Sequence, residues 1–203
     1  HTDAVQCLGK MSIDVQKLGV DFLSLSAHKF YGPKGVGALY AKNPKILKPL
    51  ITGGNQENSL RSGTENIPYI VAMGLASEIA TKSLKKNISH IESLEKEFKQ
   101  KLQSNFRNII FNGSQSQKLP GLVSISFLGF SSDVLIIKLD REKIYVSNGS
   151  ACGSGLVKPS HVLDAIGLDK STNLSTLRFS FGISNNFEEI ETLIHILKNK
   201  ILK

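Results

Sequence analysis

Cysteine is scarce in this sequence, and long apolar runs are missing. The 203 residues include two cysteines, Cys7 and Cys152, which cannot form a disulfide framework and offer no Cys-x-x-Cys pair for zinc. We therefore expect a reducing, cytoplasmic setting. No apolar stretch approaches the roughly 18 residues that a membrane span needs, and the opening residues have no signal-peptide pattern. The first residue is His1 rather than Met, so we expect the chain to begin after the start of its gene.

Positive charge is in excess, but it is not concentrated. Lys and Arg number 25 against 17 Asp and Glu, which gives a net charge of +8. The densest basic patch, residues 82–86, is too small for a polybasic tail, and no motif that reads DNA or RNA accompanies it. We interpret the charge as solvated surface and expect no direct nucleic-acid partner and no membrane partner. An acidic partner is the alternative.

The first part of the chain has the pattern of an α/β unit. A polar segment at residues 13–18 leads into an apolar run at 20–26, and a Gly/Pro turn at 31–35 separates that run from a second predicted strand at 36–41. Residues 50–66 are polar and rich in glycine. They predict a long loop, which usually has a functional rather than a connecting role.

A helical pattern follows, and beyond it the chain has α+β character. Residues 67–103 predict one long helix or two in series, with a boundary near residues 81–85. The elements predicted after it are strands at 123–127 and 178–181 and helices at 132–141 and 186–200. We therefore expect two domains, 1–82 and 83–203.

Lys29 has an unusual position for a solvated charge, because it follows directly after an apolar strand. It is flanked by Ser26 and His28 and followed by a tight turn. At the carboxyl end of an α/β strand it would point into the crevice where such sheets bind ligands. A desolvated amine there suits Schiff-base chemistry, and Ser26 and His28 could hold a phosphate. Neither a P-loop nor the glycine spacing of a Rossmann motif occurs; an ordinary surface lysine is the alternative.

Asp3 and Gln6 lie about one α/β unit before Lys29. A buried carboxylate is costly unless it is paired. In enzymes that use pyridoxal phosphate (PLP), an Asp on the pyridine nitrogen keeps the ring protonated, so that the ring can accept electrons. Gln6 could then donate to the phenolic oxygen of the ring. Considered alone, Asp3 is interpreted as an ordinary loop carboxylate, and only its pairing with the Lys29 segment favours the cofactor role.

A second motif surrounds Cys152. Residues 147–155 contain three serines and three glycines beside it, whereas structural cysteines usually lie in apolar strands or helices. The composition predicts a solvated loop, which suits a thiolate that collects cargo at one site and delivers it at another. A cysteine without a role in such a loop is the alternative.

Six motifs taken together resemble the PLP-dependent cysteine desulfurases of iron–sulfur cluster assembly, which are fold-type-I enzymes of aminotransferase class V. In chain order the motifs are Asp3-Ala4-Val5-Gln6, Ser26-Ala27-His28-Lys29 with Gly32-Pro33-Lys34-Gly35, Gly53-Gly54-Asn55-Gln56-Glu57, Arg61-Ser62-Gly63-Thr64-Glu65-Asn66, Ser150-Ala151-Cys152 and Arg178-Phe179-Ser180. The resemblance implies an α/β fold: the C-terminal part of a large PLP-binding domain at 1–82, then a small α+β domain at 83–203 that carries the Cys loop. We expect the chain to correspond to the C-terminal half of such an enzyme.

The resemblance implies that PLP is the cofactor and L-cysteine the substrate. Lys29 would form the Schiff base with PLP and later move protons, while Cys152 would take the sulfur as a persulfide as alanine leaves. Asp3 would pair with the pyridine nitrogen and Gln6 with the phenolic oxygen. The residues implied to bind the phosphate are Ser26 and His28.

The resemblance also implies partners. Thr64 resembles the threonine that reaches the cofactor phosphate of the other subunit, so a homodimer is expected. Arg178 resembles the arginine that holds the substrate carboxylate, a role that suits its bidentate fork. Cys152 would pass sulfur to acceptor proteins and iron–sulfur scaffolds, with tRNA thiolation as a further destination, and it is a candidate for a transient iron–sulfur ligand.

Two positions depart from the family pattern, and two other functions stay open. Asn55 stands where a third glycine is usual, and Ser59 where glycine is frequent; asparagine tolerates the left-handed backbone better than most residues. One alternative function is a non-catalytic module that binds scaffold or acceptor proteins. The other is a related PLP enzyme, such as a selenocysteine lyase or an aminotransferase.

Overall fold

A computed structural model describes residues 1–149 and 159–202. The chain divides into two compact units, 1–87 and 88–203. The sequence predicts a domain boundary after Lys82, whereas the two compact units are divided after Asn87, inside a helix. In the part of the chain that the structure describes, no helix is long and apolar enough to cross a membrane.

The first unit contains a small mixed sheet and one long helix. Its elements are β1 (Thr2–Asp3), α1 (Val15–Leu18), β2 (Phe22–Ser26), β3 (Gly37–Ala41) and α2 (Ile67–Lys82), with short 3₁₀ turns at Ala27–Phe30, Pro44–Ile46 and Gln56–Ser59. The strand order is β1-β2-β3. β1 is parallel to β2, and β3 is antiparallel to β2. The strands β2 and β3 lie within the two predicted apolar segments, which confirms that part of the sequence analysis.

Local sequence signals explain how the first unit is assembled. Asp14 caps α1 by accepting hydrogen bonds from two backbone N–H groups of its first turn, and Gly19 ends the helix in the left-handed conformation. Ala27, Phe30, Met73 and Ala80 form the buried core between the 3₁₀ turn after β2 and helix α2. The turn that follows β2 is thereby fixed to the helix that covers it.

The second unit is an antiparallel sheet covered by helices. Its elements are α3 (Leu84–Asn105, which begins just before the division), β4 (Ile109–Phe111), β5 (Leu122–Phe127), α4 (Ser132–Arg141), α5 (His161–Ala165), α6 (Lys170–Leu174), β6 (Thr176–Ser180) and α7 (Phe187–Ile196), which continues as a π-helical turn at Leu197–Ile201. The strand order is β4-β5-β6, antiparallel throughout. The predicted helix at 132–141 has the observed bounds, and the predicted 67–103 helix is two helices in series that meet at Ser83.

The core of the second unit lies between α3, the sheet, α4 and α7. Leu94, Phe98 and Leu102 on one face of α3 are fully buried, as the helical spacing predicted. Phe98 packs against two rings, with centroid distances of 4.9 Å to Phe179 and 5.3 Å to Phe181. These contacts hold the C-terminal half of β6 against the helix.

The strand β5 differs from its prediction on one face. Its alternation predicted apolar residues inward and serines toward solvent, but Ser126 is fully buried. Its Oγ lies 2.6 Å from Oγ1 of Thr176 and accepts from Nδ2 of Asn112 at 2.9 Å. A buried hydroxyl is tolerated where it is hydrogen-bonded, and Asn112 and Thr176 supply the partners of Ser126.

A buried ion cluster joins α3 to the loop before β5. Glu95 accepts hydrogen bonds from Nζ of Lys118 at 2.6 Å and from the N–H of Gly121 at 3.0 Å, and it pairs with Lys99 at 2.6 Å. Burial alone would raise the pKa of Glu95, but these three donors outweigh it, so the pKa lies below its ordinary value. The carboxylate is therefore charged at neutral pH, and it links α3 to the loop before β5.

Candidate active site

The carboxyl ends of β1 and β2 bring sequence-predicted residues to one edge of the first sheet. These strands are parallel, and Asp3 is in register with Ser24. Because side chains alternate along a strand, Ser24 and Ser26 lie on the same face of the sheet as Asp3. The structure therefore places Asp3 and Ser26 on one face at neighbouring strand ends, the position where α/β sheets bind ligands.

Lys29 lies in the 3₁₀ turn that directly follows β2. Ala27 and Phe30 on either side are buried and anchor the turn, while His28 is exposed and Lys29 is half-buried. The backbone is held by the bond from Ala27 N to Val36 O at 3.1 Å. Within residues 1–149 and 159–202, no hydrogen bond or ion pair involves Nζ of Lys29. The turn that carries the amine is thus anchored to the core, and the amine has no structural partner among the described residues.

Two glycines permit this turn to close so tightly. A Cβ on Gly32 would lie 2.9 Å from the Cβ of Ala27, and one on Gly37 would lie 2.6 Å from the carbonyl oxygen of Leu25. Contacts this short are not tolerated between a Cβ and its neighbours. Gly32, which belongs to the sequence motif, and Gly37, the first residue of β3, are therefore packing requirements of the segment that carries Lys29.

Ser26 and His28 form a hydrogen-bonded pair beside Lys29. Oγ of Ser26 and Nδ1 of His28 lie 2.9 Å apart. A hydroxyl and an imidazole can both donate to an anion, and Lys29 adds a positive charge next to them. This combination suits a bound phosphate.

Asp3 is the last residue of β1, and Gln6 lies in the turn that follows it. Oδ1 of Asp3 accepts from the N–H of Val5 at 3.0 Å, which leaves the other carboxylate oxygen without a partner among the described residues. Oε1 of Gln6 accepts from Nζ of Lys10 at 3.1 Å.

Burial lowers the pKa of Lys10, the positive charge of Lys29 lowers it further, and Cys7 partly opposes the change. Lys10 was missed from the sequence, because a spacing of four residues indicates a contact only where the chain forms a helical turn.

Thr64 lies in the long loop before α2, and it is exposed. The loop is shaped by bonds from Oγ of Ser62 to the carbonyl oxygen of Gly54 at 2.9 Å and from the N–H of Gly63 to Oε1 of Gln56 at 3.2 Å. In the described ranges the Thr64 hydroxyl has no hydrogen-bond partner, so it is available to a group from outside the unit.

Backbone strain in this loop falls at residues 57–59, and not at Asn55, where the sequence suggested a left-handed backbone. Asn55 has a φ of −91°, so its tolerance of the left-handed conformation is not used there. The left-handed residues are Glu57, Asn58 and Ser59, with φ values of 49°, 55° and 65°. Ser59, where glycine is frequent in the family it resembles, is therefore the departure that carries a conformational cost.

Arg178 lies on β6 in the second unit and is half-buried. Its backbone is joined to Ser147 by an isolated β-bridge, and Nη1 donates to the carbonyl oxygen of Gly149 at 3.0 Å. A guanidinium has five N–H donors in a fixed fork, so most of this side chain's donors remain for a carboxylate. Cys152, together with the rest of residues 150–158, lies outside the described residues.

The donor set of the first unit fits PLP by its chemistry. It offers an amine for the aldehyde, a carboxylate for the pyridine nitrogen, an amide for the phenolic oxygen, and a serine–histidine pair for the phosphate. By contrast, residues 1–149 and 159–202 contain no group of three or more His, Cys, Asp or Glu side chains that could hold a metal ion.

Comparison with known proteins agrees with this chemistry. The aminotransferase class-V family profile matches residues 1–193. A cysteine desulfurase IscS from Dictyoglomus turgidum is 41% identical over 203 residues, covering 100% of this chain and 52% of that protein. The chain thus spans about half the length of the curated relatives it matches.

Solved structures show the same fold. A NifS-like protein superposes with a TM-score of 0.87 at 36% identity, over 97% of this chain and 50% of that one. SspA in complex with cysteine superposes with a TM-score of 0.69 at 35% identity, over 92% of this chain and 51% of that one. The mixed α/β fold class predicted from the sequence is confirmed, and the chain belongs to the aminotransferase class-V family.

Proposed function

We propose that the protein acts as a PLP-dependent cysteine desulfurase, which converts L-cysteine to L-alanine and retains the sulfur on Cys152. The observation that carries the proposal is the amine of Lys29, which has no partner among the described residues, on an anchored turn after β2 next to the hydrogen-bonded pair of Ser26 and His28. Similarity to a protein named cysteine desulfurase along the whole chain supports the choice of reaction.

In this proposal the residues of the first unit hold the cofactor. Ser26 and His28 bind the phosphate, Asp3 pairs with the pyridine nitrogen, and Gln6 donates to the phenolic oxygen. When bound, PLP supplies an electron-withdrawing ring that stabilises negative charge on the substrate's α-carbon. Nζ of Lys29 holds the cofactor before substrate arrives and then accepts the proton from that α-carbon. Arg178 binds the substrate carboxylate with its remaining donors.

The sulfur-transfer step needs no external oxidant or reductant. The Cys152 thiolate attacks the sulfur of L-cysteine, so an S–S bond forms as the C–S bond breaks. The electron pair of the broken bond stays with the β-carbon, which takes up a proton. One cysteine thiol and one L-cysteine give one cysteine persulfide and one L-alanine, so atoms and electrons balance.

The remaining assignments also belong to the proposal. Residues 1–82 act as part of the PLP-binding domain and residues 83–203 as the small domain. Thr64 reaches the cofactor of a second subunit, which makes the protein a homodimer, and its exposed position supports this. Cys152 delivers sulfur to acceptor and iron–sulfur scaffold proteins in the cytoplasm, with transient cluster ligation and tRNA thiolation as further roles.

The proposal is tested by incubating the protein with PLP and L-cysteine and measuring bound PLP by absorbance, alanine by chromatography and persulfide by mass spectrometry. Lys29→Ala should abolish alanine formation, whereas Lys34→Ala, a control in the same turn, should not. Cys152→Ala should form no persulfide, whereas Cys7→Ala should still form it on Cys152. Persulfide on Cys7 would contradict the assignment. If the protein neither binds PLP nor forms alanine, the result favours a non-catalytic binding module.

A further inference from the structure

We propose that Lys10 is a positioning residue that sets the orientation of the Gln6 amide toward the cofactor. The inference rests on the proposed function, because it concerns how the PLP ring is recognised. No sequence motif assigns a role to Lys10, which lies in the turn that follows β1.

The turn after β1 brings Gln6 and Lys10 together. Cys7 N donates to Ala4 O at 2.9 Å, and Lys10 N donates to Cys7 O at 2.9 Å, so the chain coils as one turn of helix does. Residues four apart then share a face. Accordingly, Nζ of Lys10 donates to Oε1 of Gln6 at 3.1 Å.

Gly9 presses this turn against the core of the first unit. Its φ is +80°, and a Cβ added to it would lie 3.3 Å from the Cβ of Ala80 and 3.6 Å from that of Phe30. Phe30 belongs to the turn that carries Lys29. Lys10 is therefore half-buried, and its charge interacts with that of Lys29.

The chemistry of the contact decides which way the amide faces. An ammonium group can only donate, so the Gln6 atom that faces Lys10 must be the carbonyl oxygen, Oε1. The other end of the amide, Nε2, carries two N–H donors and is directed away from Lys10. Without Lys10 the amide could rotate and present an oxygen, which would repel the phenolic oxygen of PLP.

The first test measures the affinity of the protein for PLP and for a PLP analogue that lacks the phenolic oxygen. Lys10→Met keeps the apolar stem and removes the donor, and we expect about tenfold weaker PLP binding, the value of roughly one hydrogen bond to a charged group. Lys10→Arg restores a donor and should recover most of the affinity. The analogue should bind Lys10→Met and the unchanged protein equally well.

A mutant cycle shows whether Lys10 acts through Gln6. Gln6→Leu should weaken PLP binding, and adding Lys10→Met to it should cause no further loss, because coupled residues are not additive. Additive losses, or the same loss with the analogue, would overturn the inference, since Lys10 would then act directly or through general stability.

A second measurement does not depend on the cofactor. In the protein without PLP, the side-chain amide resonances of Gln6, identified by their loss in Gln6→Leu, should shift in Lys10→Met and stay nearly unchanged in Lys10→Arg. If neither the unchanged protein nor any variant binds PLP, the proposed function fails, and the amide signal alone then tests the contact between Lys10 and Gln6. An amide signal that does not shift in Lys10→Met overturns the inference.

Discussion

Oγ of Ser26, the last residue of β2, lies 2.9 Å from Nδ1 of His28 in the turn that follows. The pair joins the end of a strand to the first residues of the turn that carries Lys29. Because neither side chain is needed to fill the core, the pair is free to serve a ligand. It is the part of the candidate site that most directly predicts an anion-binding role.

Ser26→Ala should weaken PLP binding by roughly tenfold or more. The substitution removes one donor to a doubly charged phosphate, and charge-assisted hydrogen bonds are stronger than neutral ones. Titration of the protein with PLP, followed by absorbance, measures the effect.

Ser24→Ala provides the matched control, on the same strand and the same face. Ser24 bonds to Nε2 of His1 at 2.8 Å rather than to His28. We expect its PLP affinity to stay within about twofold of the unchanged protein, an effect much smaller than one hydrogen bond. Equal losses in both variants would indicate a general change in the strand.

Glu95 should make the free energy of unfolding fall as the pH becomes acidic. Burial opposes the charge of Glu95, but its bonds to Lys118, Lys99 and the Gly121 amide lower the pKa below the ordinary value. A depressed pKa means that the contribution is present above the unfolded-state pKa and is lost as the pH falls through the folded-state value. Glu95→Gln should cost about 3 kcal/mol at neutral pH, the lower range for breaking a buried ion pair.

Urea unfolding between about pH 7 and about pH 3 measures this contribution. The difference between Glu95→Gln and the unchanged protein should shrink toward the acidic end. Glu97→Gln on the same helix is the control, since its pair with Lys101 is more exposed, and it should have a much smaller effect. A difference for Glu95→Gln that does not vary with pH would contradict the assignment.

The sequence predicted the elements whose signals are local. Helix α4 follows from hydrophobic spacing, and the helix predicted from residue 186 begins at a capping box formed by Asn186 and Glu189. The burial of Ser126 could not be predicted in this way. It depends on Asn112 and Thr176, which are distant in the chain and meet only once the sheet forms.

In the candidate site, too, residues in local motifs were predicted, and a residue that depends on tertiary packing was missed. Lys29, Ser26 and His28 could be found from one segment, because a strand end and a tight turn are local features. Lys10 could not, since its contact with Gln6 depends on a turn that Gly9 packs against α2. Asp3 was recognised by motif, and its place beside β2 depends on parallel pairing between two strands that the chain separates.

Gly121 should be far less replaceable than Gly129, although both have positive φ values of 81° and 88°. A Cβ on Gly121 would lie 2.5 Å from Cγ2 of Ile91 and 2.8 Å from the carbonyl oxygen of Phe181, whereas one on Gly129 would meet nothing within 4 Å. Gly121→Ala should cost about 3 kcal/mol, from strain plus overpacking. Gly129→Ala should cost about 1 kcal/mol, from strain alone.

Thermal and urea unfolding of the two variants distinguish these effects. Equal destabilisation would mean that the backbone conformation, and not the close approach to Ile91 and Phe181, determines the cost at Gly121.

The central claim is that the ε-amino group of Lys29 forms the covalent bond to PLP. Borohydride reduction of the PLP-loaded protein, followed by proteolysis and mass spectrometry, tests it most directly. We predict that the phosphopyridoxyl group is found on Lys29, and that Lys29→Ala leaves the protein unlabelled. Stable labelling of Lys10 or Lys34 in place of Lys29 would contradict the account.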